Sequence, residues 1–318
     1  MTSAFILGAG LGTRLRPLTK RLPKPLVPLF HRPLAEWALE ACARAGAERF
    51  AVNTHHLPET WDGFGNPPGS ETPAVFGVNG LPATLRAWQG REVALFHEPD
   101  LLETGGGLKN IGLWLHGGPV LVHNGDIFST LPLERLVAAH KASGLPATLA
   151  LRSGGGDKRV ALDASGTRCM DLRHALGRAA GTHVFSGIYC AERELLDRLP
   201  AGEKISVVDA FLELAARDRL GAVVIDEGHW LDLGDRDSYL KAHRELALAP
   251  LIHPQAVIEP GAVVERSAVG PGCVVRSGAV VRDSVVWAGC EVAADAVLDG
   301  CVVFSGNPAS GFHRGEDI

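Results

Sequence analysis

The sequence predicts an α/β sheet domain followed by a short parallel β-helix, and three observations carry that reading. From residue 1 to about 248, short β-rich apolar runs alternate with longer helical ones, bounded by Gly, Pro and Asn. After Pro250, aliphatic residues recur every five or six positions. A loop with three glycines follows the first strand directly.

Within the α/β region, Ala4 to Leu7 reads as a buried strand and Leu34 to Ala45 as a helix with Trp37, Leu39 and Ala41 among its apolar positions. Arg49 to Asn53 and Val120 to His123 read as strands. Further strands are expected near Ala147 to Leu151, His183 to Tyr189 and Ala222 to Ile225, with helices near Leu133 to Lys141, Val207 to Arg219 and Asp237 to Leu248. The Gly- and Pro-rich stretch 64–91 favours neither strand nor helix.

The aliphatic repeat runs through Ile252, Ile258, Val264, Val269, Val275, Val281, Val286, Val292, Leu298 and Val303, in steps of 6, 6, 5, 6, 6, 5, 6, 6 and 5. Four places after most of them stands a small residue: Ala256, Ala262, Ala268, Cys273, Ala279, Cys290 or Ala296. That is the grammar of triangular coils with one aliphatic side chain per face in the interior, about three coils in all. A β-sandwich would instead show period-two alternation. The expected domains are residues 1–248, the β-helix at 251–304 and a tail at 305–318 that caps the last coil or frays.

Composition narrows the function. The chain has 318 residues, 46% hydrophobic and 21% charged, which fits a folded protein of two domains and excludes a disordered or fibrous one. A net charge of −5 without long blocks of one sign argues against a nucleic-acid footprint or a polybasic membrane patch. No run reaches the ~18 apolar residues of a membrane span, and no basic segment precedes the first apolar stretch. Six cysteines without CxxC spacing indicate neither a zinc site nor a disulfide framework. A cytoplasmic protein is expected.

The chemistry concentrates in the loop after the first strand. Leu7, Gly8, Ala9, Gly10, Leu11, Gly12 and Thr13 let backbone N–H groups approach an anion closely. Arg14-Leu15-Arg16-Pro17-Leu18-Thr19 and then Pro23-Lys24-Pro25-Leu26-Val27-Pro28 add two arginines and a lysine presented between prolines, whose fixed φ lowers the entropy cost of aiming the ammonium. Asp126 follows an apolar strand and a glycine, a place from which a carboxylate projects at the carboxyl end of a sheet, and Asp232 stands similarly after 222–225.

This pattern resembles the signature of the sugar-1-phosphate nucleotidylyltransferases. Three further landmarks appear in the family's order: Glu103-Thr104-Gly105-Gly106-Gly107-Leu108, Asn124-Gly125-Asp126, and Trp230-Leu231-Asp232-Leu233-Gly234. The resemblance implies a Rossmann-like mixed sheet of GT-A type with helices on both faces, and a left-handed C-terminal β-helix. It implies that the first loop wraps the nucleoside triphosphate, that Glu103, Thr104, Gly105, Gly106, Asn124 and Gly125 complete the nucleotide site, and that Arg14 and Lys24 contact phosphates. Asp126 and Asp232 would hold Mg2+. Lys24 serves either the triphosphate or the sugar phosphate, and the sequence leaves both open. Thr104 reads as the N-cap of a helix, with the glycines beside it admitting a base or sugar.

Phe185-Ser186-Gly187-Ile188-Tyr189 resembles the family's Asn-Ala-Gly-Ile-Tyr strand, so Ser186 and Gly187 are assigned to the sugar, with Gly107 and His55. No Glu-Lys-Pro stands between Ala161 and His183, where many relatives carry a sugar-phosphate lysine; Arg173 or Arg178 is the candidate replacement. The Glu103 and Phe185 segments, with Val52 to Leu57, are most similar to uridylyltransferases acting on N-acetylmuramate 1-phosphate, whereas the β-helix is similar to that of mannose-1-phosphate guanylyltransferases. UTP is the favoured nucleotide and GTP the alternative. For the β-helix, a scaffold or homo-oligomer role is expected over acyl transfer, because three coils are few and only His253 and His313 occur there. A non-catalytic NDP-sugar sensor is the reading from another class; the joint presence of Arg14, Lys24, Asp126 and Asp232 argues against it.

Overall fold

In the computed structural model, which describes residues 3–65, 75–78 and 81–318, the chain divides into two compact units. One comprises Met1–Leu11 and Ala35–Leu231, the other Gly12–Leu34 and Asp232–Ile318.

The first unit is built on a nine-stranded sheet. Its strands are β1 (Ser3–Leu7), β2 (Arg49–Thr54), β3 (Val75–Val78), β4 (Leu81–Trp88), β5 (Arg91–His97), β6 (Val120–Asn124), β7 (Ala147–Arg152), β8 (Val184–Ala191) and β9 (Leu220–Val224), in the order β9-β7-β8-β6-β1-β2-β5-β4-β3. β1 runs parallel to both β2 and β6, while β8 is antiparallel to β6 and β7, so the sheet is mixed. Chain order reverses direction across β1, the place where open α/β sheets bind ligands at their carboxyl edge. Buried Val, Leu, Phe and Ala on these strands pack with Leu108, Phe211 and Leu214 from the helices into one core.

The helices are α1 (Leu34–Arg44), α2 (Glu103–Asn110), α3 (Leu133–Ser143), α4 (Arg193–Asp197), α5 (Val207–Ala216) and, in the second unit, α6 (Arg236–Glu245). Each strand and helix named from the sequence is present, with ends moved by a few residues. β3 and β4 lie within the stretch that favoured neither template; its residues 66–74 and 79–80 lie outside the described ones. β4 pairs with β3 and β5 as an antiparallel meander, so its pattern depends on neighbours rather than on its own composition.

One cap is corrected. Thr104 does not cap α2, which starts from Leu102 without a side-chain cap. The start of α2 is satisfied from a distant loop instead, where the Gly105 N–H donates to the Ile205 carbonyl at 2.8 Å, while Thr104 Oγ1 accepts from the Val207 N–H at 3.0 Å at the start of α5.

In the second unit the repeat forms a parallel β-helix. Its faces are the ladders Val257–Ile258, Val274–Val275, Glu291–Val292; Val263–Glu265, Val280–Arg282, Val297–Asp299; and Ala268–Val269, Val285–Val286, Val302–Val303. Val269, Val275, Val281, Val286, Val292, Leu298 and Val303 are buried inside, as the period requires, whereas Ile252 on the opening coil is exposed. The tail continues the pattern, with Phe312–Arg314 pairing beside Val297–Asp299. Among the described residues no helix is long and apolar enough to cross a membrane.

Candidate active site

The site grows from the carboxyl ends of three adjacent strands. Register sets Leu7 of β1 between Asn53 of β2 and Asn124 of β6. The Gly8 N–H donates to Asn53 Oδ1 at 2.7 Å, and the Gly125 N–H donates to the Leu7 carbonyl at 2.9 Å. These bonds fix where the glycine loop leaves the sheet. Gly8 and Ala9 are buried, Gly10 and Leu11 are exposed, and a Cβ at Gly10 would meet nothing within 4 Å. The loop therefore offers open backbone at the switch point, which suits an anion.

Beneath it lies a buried pair that sequence reasoning missed. Asn53 Nδ2 donates to Glu98 Oε1 at 2.7 Å, and the Leu102 N–H donates to Glu98 Oε2 at 3.1 Å. Burial pushes the Glu98 carboxyl above its usual range, and the two donors pull the other way. Glu98 also accepts through its carbonyl from His55 Nδ1 at 2.8 Å, which fixes the His55 tautomer with Nε2 unprotonated when the ring is neutral. The available signal was a polar residue closing each of two apolar runs, Asn53 after 50–52 and Glu98 after 93–96.

The glycines of α2 are occupied on their Cβ sides by the chain itself. A Cβ on Gly107 would stand 2.6 Å from Asn53 Nδ2 and 2.8 Å from Glu98 Oε1, and one on Gly105 would stand 2.9 Å from the Ile205 carbonyl. On Gly106 it would collide with the Glu203 carbonyl. Their smallness thus serves the seating of α2 against 203–207 and the Asn53–Glu98 pair. Glu103 is exposed, at φ 59°, and pairs with Lys204 at 3.6 Å.

On β8, Gly187 adopts φ 77°, and a Cβ there would stand 2.7 Å from Asn124 Nδ2, so the strand end beside Asn124 requires glycine. The Ser186 hydroxyl is fully buried and donates to the Ala150 carbonyl at 2.7 Å, while its own carbonyl accepts from Trp230 Nε1 at 2.8 Å. The Arg178 guanidinium is committed to the end of α5, donating to the carbonyls of Ala215 at 2.9 Å and Ala216 at 2.8 Å. Arg173 is exposed. Asp126, also in this unit, is half-buried.

The second unit carries the remaining signature residues. Gly12 has φ 60°, and its Cβ position is only 2.8 Å from Thr19 Cγ2; Thr19 Oγ1 donates back to the Gly12 carbonyl at 2.9 Å. Thr13 and Arg14 are exposed, and the Arg14 guanidinium lies over Gly234, where a Cβ would stand 2.6 Å from it. Lys24 is 6% exposed, in a turn opened by Pro23 at φ −60°. Asp235 caps α6 by a capping box with Ser238; the Ser238 N–H, more than the nearby charges of Arg14 and Lys24, holds its carboxyl below the ordinary range. Asp232 is exposed.

Among the described residues no group of three or more His, Cys, Asp or Glu could hold a metal alone. The candidate donors, Asp126 and Asp232, offer only carboxylate oxygen. That chemistry fits magnesium, a hard cation that keeps waters and takes phosphate oxygens alongside one or two carboxylates.

Residues 3–154 match the family described as nucleotidyl transferase, and residues 240–308 match the GlmU-like C-terminal hexapeptide. A mannose-1-phosphate guanylyltransferase of Mycobacterium tuberculosis is 28% identical over 294 residues, covering 85% of this chain and 77% of that protein. A UTP–glucose-1-phosphate uridylyltransferase of Synechocystis is 28% identical over 250 residues, covering 76% of this chain and 62% of that one. A D-glycero-α-D-manno-heptose 1-phosphate guanylyltransferase of Aneurinibacillus thermoaerophilus is 26% identical, covering 76% and 97%. In fold, the chain is similar to UDP-glucose pyrophosphorylase complexed with UDP-glucose, with a TM-score of 0.60 at 17% identity, over 76% of this chain and 97% of that one. The chain is an enzyme of the nucleotidyl transferase class. More particularly, its residues 3–154 are similar to nucleotidyl transferases and its residues 240–308 to the GlmU-like C-terminal hexapeptide repeat.

Proposed function

We propose that the protein transfers a nucleotidyl group from a nucleoside triphosphate to a sugar 1-phosphate, releasing pyrophosphate and forming an NDP-sugar. The observation that carries this reading is the open glycine loop at the carboxyl end of β1, anchored by Gly8 to Asn53 and exposed at Gly10. An oxygen of the sugar phosphate attacks the α-phosphorus. The bond from that phosphorus to the α–β bridging oxygen breaks, and its electron pair leaves with pyrophosphate. The attacking oxygen is already anionic near neutral pH, so no general base is needed. Catalysis then rests on positioning and on offsetting negative charge.

In this reading the loop from Leu7 to Thr13 holds the triphosphate through backbone N–H groups, and Arg14 and Lys24 offset phosphate charge. Asn124, Gly125 and the α2 segment 103–106 face the nucleotide; His55, Gly107, Ser186 and Gly187 border the sugar. Asp126 and Asp232 are the proposed ligands of magnesium, which when bound neutralises charge on the α-phosphate and the leaving group.

Guanylyl transfer to mannose 1-phosphate or a heptose 1-phosphate is the reading we place first. It is supported by the Mycobacterium relative, whose match over 85% of the chain extends into the repeat. Uridylyl transfer to N-acetylmuramate 1-phosphate is the second, supported by the Glu103 to Gly107 and Phe185 to Ile188 segments. A homo-oligomer assembled through the β-helix belongs to the same proposal. The test is pyrophosphate release with magnesium, crossing GTP, UTP, dTTP, CTP and ATP against mannose, heptose, glucose, N-acetylglucosamine and N-acetylmuramic acid 1-phosphates. Release with one pair identifies the substrates; a folded, nucleotide-binding protein silent with every pair would move the assignment to a sensor.

A further inference from the structure

We propose that Tyr239 and Trp287 are positioning residues for Lys24, so that the β-helix sets the shape of the phosphate-facing turn. The inference rests on the reading of Lys24 as a phosphate contact.

The segment from Gly12 to Leu34 has little regular structure to hold it. It contains three single 3-10 turns, at Thr13–Leu15, Leu18–Lys20 and Lys24–Leu26, and a ladder of two residue pairs between Pro28–Leu29 and Arg32–Pro33. Its shape must therefore come from what it packs on. Leu15, Leu18 and Val27 are fully buried in one cluster with Tyr239, Leu240 and the interior of the β-helix. Burying these side chains holds the segment against the repeat, but apolar packing alone does not fix the direction of a turn.

A hydrogen-bonded relay supplies the direction. Trp287 Nε1, on the β-helix, donates to the Tyr239 hydroxyl at 3.0 Å, and that hydroxyl donates to the Pro28 carbonyl at 2.7 Å. Tyr239 is 0% exposed, so water cannot replace either partner. Pro28 follows the turn that presents Lys24, closed by Leu26 N–H to the Pro23 carbonyl at 2.8 Å and Val27 N–H to the Lys24 carbonyl at 3.1 Å. Immediately beyond, Phe30 and His31 take φ 48° and 68°, a costly backbone for residues other than glycine. That strain is held from the same helix: the Phe30 N–H donates to His243 Nε2 at 3.2 Å, with the rings stacked at 5.1 Å. The turn carrying Lys24 is thus fastened at its exit by α6, and α6 is fastened by Trp287.

The test compares Tyr239→Phe, Trp287→Phe and the double variant with wild type in the full chain. Two readouts are used: amide hydrogen exchange of peptides across 22–33, without substrate, and kcat and KM for the triphosphate with whichever pair wild type turns over. For Tyr239→Phe we expect faster exchange in 22–33, unchanged exchange in 120–124 and 274–303, and kcat/KM lower by up to about tenfold. The double variant should be no slower than Tyr239→Phe, because that change already removes the acceptor of Trp287. Exchange unchanged in 22–33 overturns the relay. So does acceleration spread through 274–303 in Tyr239→Phe, which would mark simple destabilisation, or a double variant slower than either single one. If wild type turns over no pair, the catalytic reading fails, while the exchange measurement still decides whether the relay holds the turn.

Discussion

Asn53 holds Glu98 and Gly8 at once: its Nδ2 donates to Glu98 Oε1 at 2.7 Å and its Oδ1 accepts from the Gly8 N–H at 2.7 Å. One amide thereby ties the end of β2 to the exits of β1 and β5. Because Glu98 is 0% exposed, the pair is sensitive to charge. Asn53→Asp sets two carboxylates against each other without water and should destabilise by about 3 kcal/mol, more than the roughly 1 to 2 kcal/mol of Asn53→Ala. Urea unfolding of the two variants checks the order; equal losses would remove the electrostatic part of the argument.

Two glycines of the site should respond in opposite ways. At Gly107 a Cβ meets Asn53 and Glu98 below van der Waals distance, so Gly107→Ala should lower stability by about 1 to 3 kcal/mol. At Gly10 a Cβ meets nothing within 4 Å of the chain, so Gly10→Ala should leave the melting temperature unchanged and reduce turnover, because a bound triphosphate needs that space. Full activity in Gly10→Ala would exclude close approach of the ligand there.

Asp126→Asn and Asp232→Asn should each abolish magnesium-dependent pyrophosphate release while circular dichroism and melting temperature stay near wild type. Each change keeps the shape and removes a charge that a hard cation prefers. Full activity in either variant would remove that residue from the metal assignment.

Stability should fall with acid through His243. Its Nε2 accepts from the Phe30 N–H and its Nδ1 donates to the Tyr239 carbonyl, so both nitrogens are engaged in the neutral form. Burial lowers its pKa to about 4, with the neighbouring His31 charge adding to the shift. A folded pKa below the unfolded value of 6.5 means that the stabilisation is complete above pH 6.5 and is lost as pH falls towards 4. The loss is on the order of 2 to 3 kcal/mol. Buried His123, lowered to about 4 by the same cause, adds to it. His243→Phe should be less stable at pH 7 and should show a shallower decline between pH 6.5 and 4.5. An unchanged slope in urea unfolding would show that His243 titrates alike in both states.

The sequence by itself determined the elements and their chemistry. Periodicity of two and of near six reports which side chains must leave water, so the strands around Leu7 and Asn124, α5 and the interior valines of the repeat were readable from residue order. The signature loop was readable because glycines, prolines and cations stand close together along the chain. What only the tertiary structure decided were relationships between residues far apart in sequence. Asn53 and Glu98 lie 45 positions apart, and their bond depends on β2 and β5 being neighbours in the sheet. Thr104 had the right type for an N-cap, but the loop at 205–207 supplied the partner instead. The membership of Gly12–Leu34 in the same compact unit as the β-helix was likewise out of reach. Local pattern encodes burial, whereas the partner that satisfies a buried donor or fixes a turn is selected only when register and packing bring distant groups within hydrogen-bond distance.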